Sequence, residues 1–242
     1  MTGLAAGRRG DAILAWHNAG SIHEEQRGAG MALTIYGIIA SRALRPLWAA
    51  TELGLDFEHV QTDYKLGTTR APEFLAINPN GHIPVLVDHR PEGDVTVWES
   101  MACALYIARH HGQADGVSLV PATPREDAEA LRWSFWTVTE LEKDALTVLM
   151  HRLAMPAEER KHDLAEAAER RLKVPLRVLE QHLARGEGFI AAARFTVADL
   201  CVASVMLWVK PARELLAQHP LVSAWLAQCL GRPAYEALRR HR

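Results

Sequence analysis

The chain changes character near its middle. Up to about residue 111, short β-favouring runs alternate with helical patterns. Beyond Pro124 the β signals vanish and apolar residues recur every three or four positions. Such a division predicts a mixed α/β domain with a four-stranded sheet, followed by an all-α domain. The expected bounds are 31–112 for the first domain, a polar linker at 113–124, and 125–242 for the second. A chain of 242 residues, 49% of them hydrophobic, has enough apolar material for both. Residues 1–30 are glycine-rich, mixed in charge and without a sustained period. They read as a mobile tail, with the fold beginning near Met31, itself a candidate start. The apolar stretch Ala12–Trp16 is too short for a signal-peptide core.

The first domain reads as strand, helix, strand, short helix, strand, strand, helix. Leu33–Tyr36 is a β-type run closed by Gly37. Leu44, Leu47, Trp48 and Leu53 share a helical face, and Gly54 suits the position just past that helix. Pro46 is tolerated only in a first turn, so this helix is expected to start close to Ser41–Arg42. Phe57–Gln61 is a second strand and Pro72–Ile77 a short helix or turn. Val85–Val87 and Val95–Trp98 are strands joined by the turn-rich segment Asp88–Asp94, and Glu99–His110 is a helix. A strand–helix–strand unit implies a parallel pair, and the short connection an antiparallel one. In the second domain, helical patterns cover Arg125 to about Arg152 and Ala157–Arg185, where Pro175 is expected to cause a kink. Further helices are expected at Val197–Val209, Leu221–Leu230 and Pro233–Arg239.

A formal net charge of −2 offers no general attraction to nucleic acid or to anionic membrane. No apolar run approaches the roughly 20 residues of a membrane helix. Cys103, Cys201 and Cys229 are odd in number and far apart, and fit buried thiols in a reducing cytoplasm. None of the 12 histidines shows metal-ligand spacing, so no metal is expected, and no phosphate-binding glycine loop is present.

Three places can carry chemistry. Asn78-Pro79-Asn80-Gly81-His82-Ile83-Pro84 is a tight turn running into a proline at the mouth of a strand. Pro84 either opens an edge strand in trans or, in cis, turns the backbone of Ile83 outward to pair with an extended peptide. Glu99-Ser100 stands where a strand gives way to a helix. Ser100 is either a plain cap or, with the helix N-terminus, a seat for a carboxylate, with Glu99 free to pair with an ammonium. Ser41 precedes the first helix, either as an N-cap or as a hydroxyl donor to a thiolate held at that N-terminus. A free thiol of pKa about 8.5 is about 3% ionised at pH 7, and a two-unit drop makes it roughly three-quarters ionised. That shift needs about 2.7 kcal/mol of preference for the anion, within reach of a charged hydrogen bond and a helix dipole. Tyr36 is a rival hydroxyl, but its place inside a strand marks it as a packing residue. Thr196-Val197-Ala198-Asp199 fits a structural N-capping box, with Thr196 as cap and Asp199 in the acidic role.

Taken in order, these residues make the chain from Met31 onward resemble a cytosolic glutathione transferase of the serine type, bacterial or phi/theta-like. The matching stretches are Tyr36 to Arg45, Asn78 to Pro84, Glu99-Ser100, and Gly188-Phe189-Ile190 followed by Thr196 to Asp199. The resemblance implies a thioredoxin-like N-terminal domain and an all-helical C-terminal domain. It implies that Ser41 stabilises the glutathione thiolate, that Ile83 pairs through its backbone with the cysteinyl unit, held by a cis Pro84, and that Glu99 and Ser100 take the γ-glutamyl group. His82 matches a polar position near the peptide. Lys65 or Arg70 would meet the glycyl carboxylate. A small hydrophobic electrophile is expected in a cleft between the domains, with Trp133 and Trp136 as candidates for its wall, or else as core or dimer surface. The implied protein is a cytoplasmic homodimer that uses glutathione as co-substrate, binds no permanent cofactor, and conjugates the thiolate to electrophiles. Glutathione-dependent peroxidase or dehalogenase activity, or a non-catalytic glutathione-binding role, are the alternatives. The serine-serine-cysteine run of maleylacetoacetate isomerases is missing, and no cysteine stands near Ser41 for disulfide chemistry.

Overall fold

The computed structural model of the protein describes residues 32–112, 118–186 and 188–240. The expected tail at 1–30, Met31 and residues 113–117 of the expected linker lie outside the described residues. Four strands form one sheet: β1 (Leu33–Tyr36), β2 (Phe57–Val60), β3 (Val85–Asp88) and β4 (Val95–Trp98), in the order β2-β1-β3-β4. The β1–β2 pair is parallel, as its helical crossover requires; β1–β3 and β3–β4 are antiparallel.

Alternation along the strands sorts residues onto two faces. Leu33, Ile35 and Leu86 enter the main core under α1 (Leu44–Glu52) and α3 (Ser100–His111). Val85 and Val87 point the other way, to Phe74 of α2 (Pro72–Ile77), against which Tyr36 packs edge-on at 6.3 Å. Tyr36 is thus a packing residue in a strand.

The first helix begins later than the sequence suggests. Its first residue is Leu44, and Pro46 is its third, still inside the turn whose N–H groups lack partners. Residues 41–45 approach it through a tighter i→i+3 turn, with Leu44 N–H bonded to Ser41 C=O and Arg45 N–H to Arg42 C=O. Gly54, at φ +64°, closes the helix as expected.

The helical domain contains α4 (Pro124–Trp136), α5 (Glu142–Leu149), α6 (His162–Leu183), α7 (Val197–Met206), α8 (Arg213–Ala217), α9 (Pro220–Leu230) and α10 (Pro233–Arg239). The long pattern from residue 125 to 152 is therefore two α-helices, broken by π turns at Thr137–Leu141 and Met150–Ala154. Pro175 sits inside α6 without ending it; Leu172, Leu176, Leu179 and Leu183 form its buried stripe. Both domains share one core. Trp48 of α1 is fully buried, with ring centroids 5.9 Å from Phe195 and 5.0 Å from Tyr235. Truncating a core tryptophan costs about 3–5 kcal/mol, so this contact ties the sheet domain to the helical one.

Two polar clusters lock helix ends. At the start of α7, Asp199 accepts from Thr196 N–H (2.9 Å), Ile190 N–H (2.9 Å) and the Trp225 indole (3.0 Å), while Ala198 N–H bonds to the Thr196 hydroxyl. Burial pushes the Asp199 carboxyl up, opposed by these donors. At the far end of α3, the Asp88 carboxylate accepts from Arg90 (2.6 Å), the Tyr106 hydroxyl (2.8 Å) and lies 2.9 Å from His111 Nε2. Burial raises the Asp88 carboxyl, but the His111, Tyr106 and Arg90 bonds outweigh it and hold it below the ordinary aspartate range.

Candidate functional site

Strand register gathers the segments singled out by sequence. Tyr36, the last residue of β1, lies opposite Val60, the last of β2, and opposite Val85, the first of β3. Val85 in turn lies opposite Trp98, the last of β4. The Gly37–Ser41 turn, the loop carrying Lys65 and Arg70, the Ile83-Pro84 pair and Glu99-Ser100 therefore all leave the sheet at the same end. Gly37 brings two of them together. At φ +141°, it has no room for a side chain: a Cβ there would lie 2.6 Å from that of Ala43 and 3.4 Å from that of Ile83.

Ser41 is partly buried and is not the helix cap; Ala43 holds that position without a side-chain bond. The Ser41 hydroxyl accepts from Ala43 N–H (3.1 Å) and donates to Ile38 C=O (2.6 Å). A thiolate bound here has to take that proton from the carbonyl. The exchange is favourable in principle, since hydrogen bonds to an ionised acceptor are roughly twice as strong as neutral ones.

The Ile83-Pro84 bond is cis. Ile83 lies two residues before Val85, the first residue of β3, so its N–H and C=O stand outside the ladder. The turn before it is built by Asn78, whose side chain accepts from Asn80 N–H (3.1 Å) and donates to His82 C=O (2.7 Å). Gly81 closes it at φ +60°, where a Cβ would sit 2.7 Å from Thr69 C=O. The His82 side chain is exposed. Arg70 is tied to this turn through Asn80 C=O (3.2 Å). Lys65 is exposed on a 3-10 turn, Tyr64–Leu66, whose cap is Asp63.

Glu99 has φ +70°, the one non-glycine residue in that region among the described residues. For an L-residue this conformation costs about 1–2 kcal/mol. Its carboxylate is exposed and forms no ion pair or hydrogen bond among the described residues. Ser100 follows as the first residue of α3, 4% exposed. It is not a cap: its hydroxyl accepts from Arg45 Nη1 at 2.5 Å.

Arg45 was not singled out by sequence. It is 1% exposed and also donates to Glu142 (2.7 Å) and to the Ser204 hydroxyl (2.9 Å). Glu142 takes a second bond from Arg42 (2.5 Å), and the Arg42 guanidinium lies 5.4 Å from the Trp208 ring centroid. The only signal for Arg45 was a charge between Leu44 and Leu47 on an apolar helix face; Glu142, 97 residues away, had none.

Trp133 and Trp136 are placed differently from the expected interdomain wall. Trp133 is 4% exposed, and the two rings line a hollow of about 310 Å³ with Arg132, Val178 and His182 between α4 and α6. No residue of the sheet domain lines it. The three cysteines are buried; burial pushes Cys103 up to about 12 and Cys201 up to about 11, and raises Cys229 as well. None is a ready nucleophile. Among the described residues no cluster of metal-ligating side chains occurs, and no helix is long and apolar enough to cross a membrane.

Family models agree with this geometry. Residues 31–109 match the N-terminal domain of glutathione S-transferases and residues 143–233 their C-terminal domain. The chain is 34% identical to glutathione S-transferase 3 of Zea mays over 84% of its own length and 91% of that protein. It is 30% identical to glutathione S-transferase GstB of Escherichia coli over 76% and 85% of the two chains. It superposes with a TM-score of 0.75 on glutathione S-transferase I bound with lactoylglutathione, at 25% identity, over 87% of this chain and 100% of the other. With both domain models matched in order and the site segments collected at one end of the sheet, the chain belongs to the glutathione S-transferase family.

Proposed function

We propose that the protein is an enzyme that conjugates the thiolate of glutathione to small hydrophobic electrophiles, with glutathione as co-substrate and no resident cofactor. The carrying observation is the alignment of Tyr36, Val85 and Trp98, which puts the Ser41 turn, the Ile83 backbone and the α3 N-terminus side by side. In this reading Ile83 pairs with the cysteinyl unit by strand addition, with Pro84 and His82 flanking it. The α3 N-terminus and Ser100 take the γ-glutamyl carboxylate, Glu99 takes its ammonium, and Ser41 donates to the sulfur. Lys65 meets the glycyl carboxylate, with Arg70, one of whose N–H groups bonds to the Asn80 carbonyl, as the alternative. Holding an ionised thiol beside an electrophile supplies both nucleophile activation and proximity.

For the electrophile wall we assign Trp208, partly exposed beside Arg42, in place of Trp133 and Trp136. The homodimer is part of the same reading; exposed Trp98 on the edge strand and Phe135 on α4 are apolar surface that a second copy would cover. Turnover of a chloronitrobenzene-type substrate tests the assignment. Ser41→Ala is expected to lose about 100-fold in kcat/KM, the counterpart of about 2.7 kcal/mol. Equal rates in wild type and variant remove Ser41 from the chemistry.

The bond from Ser41 to Ile38 favours a second reading, a glutathione-binding protein without turnover. Retention on immobilised glutathione with no reaction across an electrophile panel would select it.

A further inference from the structure

We propose that Arg42 selects the second substrate: the unpaired edge of its guanidinium, held against Trp208 beside Ser41, takes a carboxylate on the electrophile, so that the compounds conjugated are electrophilic organic acids. The role rests on the reading of the site given above and narrows its substrate class. Arg42 follows Ser41 directly in the turn before α1, so its side chain starts next to the residue that this reading gives to the sulfur.

A guanidinium carries five N–H donors and no acceptor. Two guanidiniums stand close together here and spend their donors differently. Arg45 uses all three nitrogens inside the protein, on Ser204, Ser100 and Glu142, and is 1% exposed. Arg42 uses one: its Nε donates to Glu142 Oε1 at 2.5 Å. Its Nη1 and Nη2 meet no acceptor among the described residues, and its side chain is 44% exposed. Those two nitrogens form the end of the fork, which can hold a carboxylate by two parallel bonds.

Three elements fix this group. The Ser41 turn carries it. Glu142, the first residue of α5 straight after the π turn Thr137–Leu141, holds its inner nitrogen. Trp208, on the 3-10 turn Leu207–Val209, lies with its ring centroid 5.4 Å from the guanidinium. Two of these elements belong to the helical domain, so the free edge stands where the domains meet, beside the ring assigned to the electrophile wall. A tie between domains does not need it. Arg45 already bonds Glu142 at 2.7 Å with its side chain 2% exposed, and a more exposed pair adds little stability. Charge agrees with a further anion. Glu142 is shared by both guanidiniums, which leaves an excess of one positive charge among the three side chains. A thiolate at Ser41 repels an anionic electrophile, and that surplus offsets the repulsion.

The test uses a matched pair of electrophiles at saturating glutathione: a chlorodinitrobenzoate with its carboxylate opposite the chlorine, and the methyl ester of the same acid. In both, the thiolate electron pair forms the S–C bond and the C–Cl pair leaves as chloride, the thiol proton having passed to water. Each kcat/KM is divided by the rate constant of the uncatalysed reaction, which removes the difference in intrinsic reactivity. Wild type is expected to favour the acid about tenfold. Arg42→Met, which keeps an unbranched apolar stem against Trp208, is expected to lose that preference. A wild type that favours the ester, or treats both alike, overturns the proposal and leaves conjugation standing, whether or not the variant folds. An Arg42→Met protein with the preference unchanged overturns it too and makes Arg42 a structural tie, or a contact to the peptide where KM for glutathione rises instead. A wild type that binds glutathione and turns over neither compound overturns the reading of the site together with the proposal.

Discussion

Two helices of this protein begin with similar sequence, a hydroxyl residue and an acid, yet their N-termini are opposites. At α7, the Asp199 carboxylate gathers the N–H groups of Thr196 and Ile190 and the Trp225 indole, and the Thr196 hydroxyl takes the N–H of Ala198. All of this is buried and internally matched. At α3, Glu99 is exposed and sits at φ +70°, and among the described residues its side chain has no hydrogen-bond or ion-pair partner, while the Ser100 hydroxyl accepts from Arg45. A helix start whose donors are matched within the chain is a structural device. One whose donors are left over, at a backbone conformation that costs free energy, is the one the proposed function uses to hold a ligand.

The largest expected consequence is at the matched end. Asp199→Ala leaves buried N–H groups of Thr196, Ile190 and Trp225 without acceptors, and should lower stability by about 3 kcal/mol, with Asp199→Asn losing less. Denaturant melts measure this, and activity per folded molecule should hold. A fully stable but inactive Asp199→Ala protein would erase the contrast between the two helix starts.

The opposite end of α3 sharpens it next. The Asp88 carboxyl is held below its ordinary value, so its contribution is full above about pH 3.9 and fades as pH falls through the lowered folded value. Wild type should therefore exceed Asp88→Asn in stability near neutrality, with the gap closing only in acid. A gap independent of pH would remove the carboxylate's charge from the account of how α3 is anchored.

At the open end the expected effects fall on binding. Glu99→Gly relieves the φ +70° strain and should leave stability unchanged or raised by up to about 1 kcal/mol. It should also raise KM for glutathione about tenfold, by removing the partner of the ammonium. A variant that loses stability and keeps its KM would make Glu99 structural. The smallest contrast is between two exposed cations. Lys65→Ala should raise KM for glutathione about threefold, as expected for a solvent-exposed ion pair, and Arg70→Ala less. The reverse order would move the glycyl carboxylate to Arg70.

Much of this was readable from sequence, for local reasons. The strands, the turn made by Asn78 to Gly81, the helix-ending Gly54 and the Thr196–Asp199 box are set by residues within a few positions of each other. What was not readable depends on distant pairing. The β1–β3 and β3–β4 registers line up Tyr36, Val85 and Trp98 from three separate segments, and this sends the Ser41, Ile83 and Ser100 stretches off the same end of the sheet. Arg45 and Glu142 meet across the domain boundary; a charge on an apolar helix face marks Arg45, but nothing local marks its partner. The expected start of α1 near Ser41–Arg42 rests on Pro46, which fits any position of a first turn and so sets only a window; the observed N-cap is Ala43, which gives no side-chain signal. Trp133 and Trp136 follow the core-facing period of α4, which sends them to α6 rather than to the sheet.

The central claim is that the open end of the sheet positions glutathione and that Ser41 tunes its sulfur. The most direct measurement is the thiolate absorbance of protein-bound glutathione followed across pH in wild type and Ser41→Ala. The account predicts an apparent pKa about two units below that of a free thiol in wild type, returning close to about 8.5 in the variant. Glutathione that binds wild type with its thiol pKa unshifted, or an equal shift in both proteins, would contradict it.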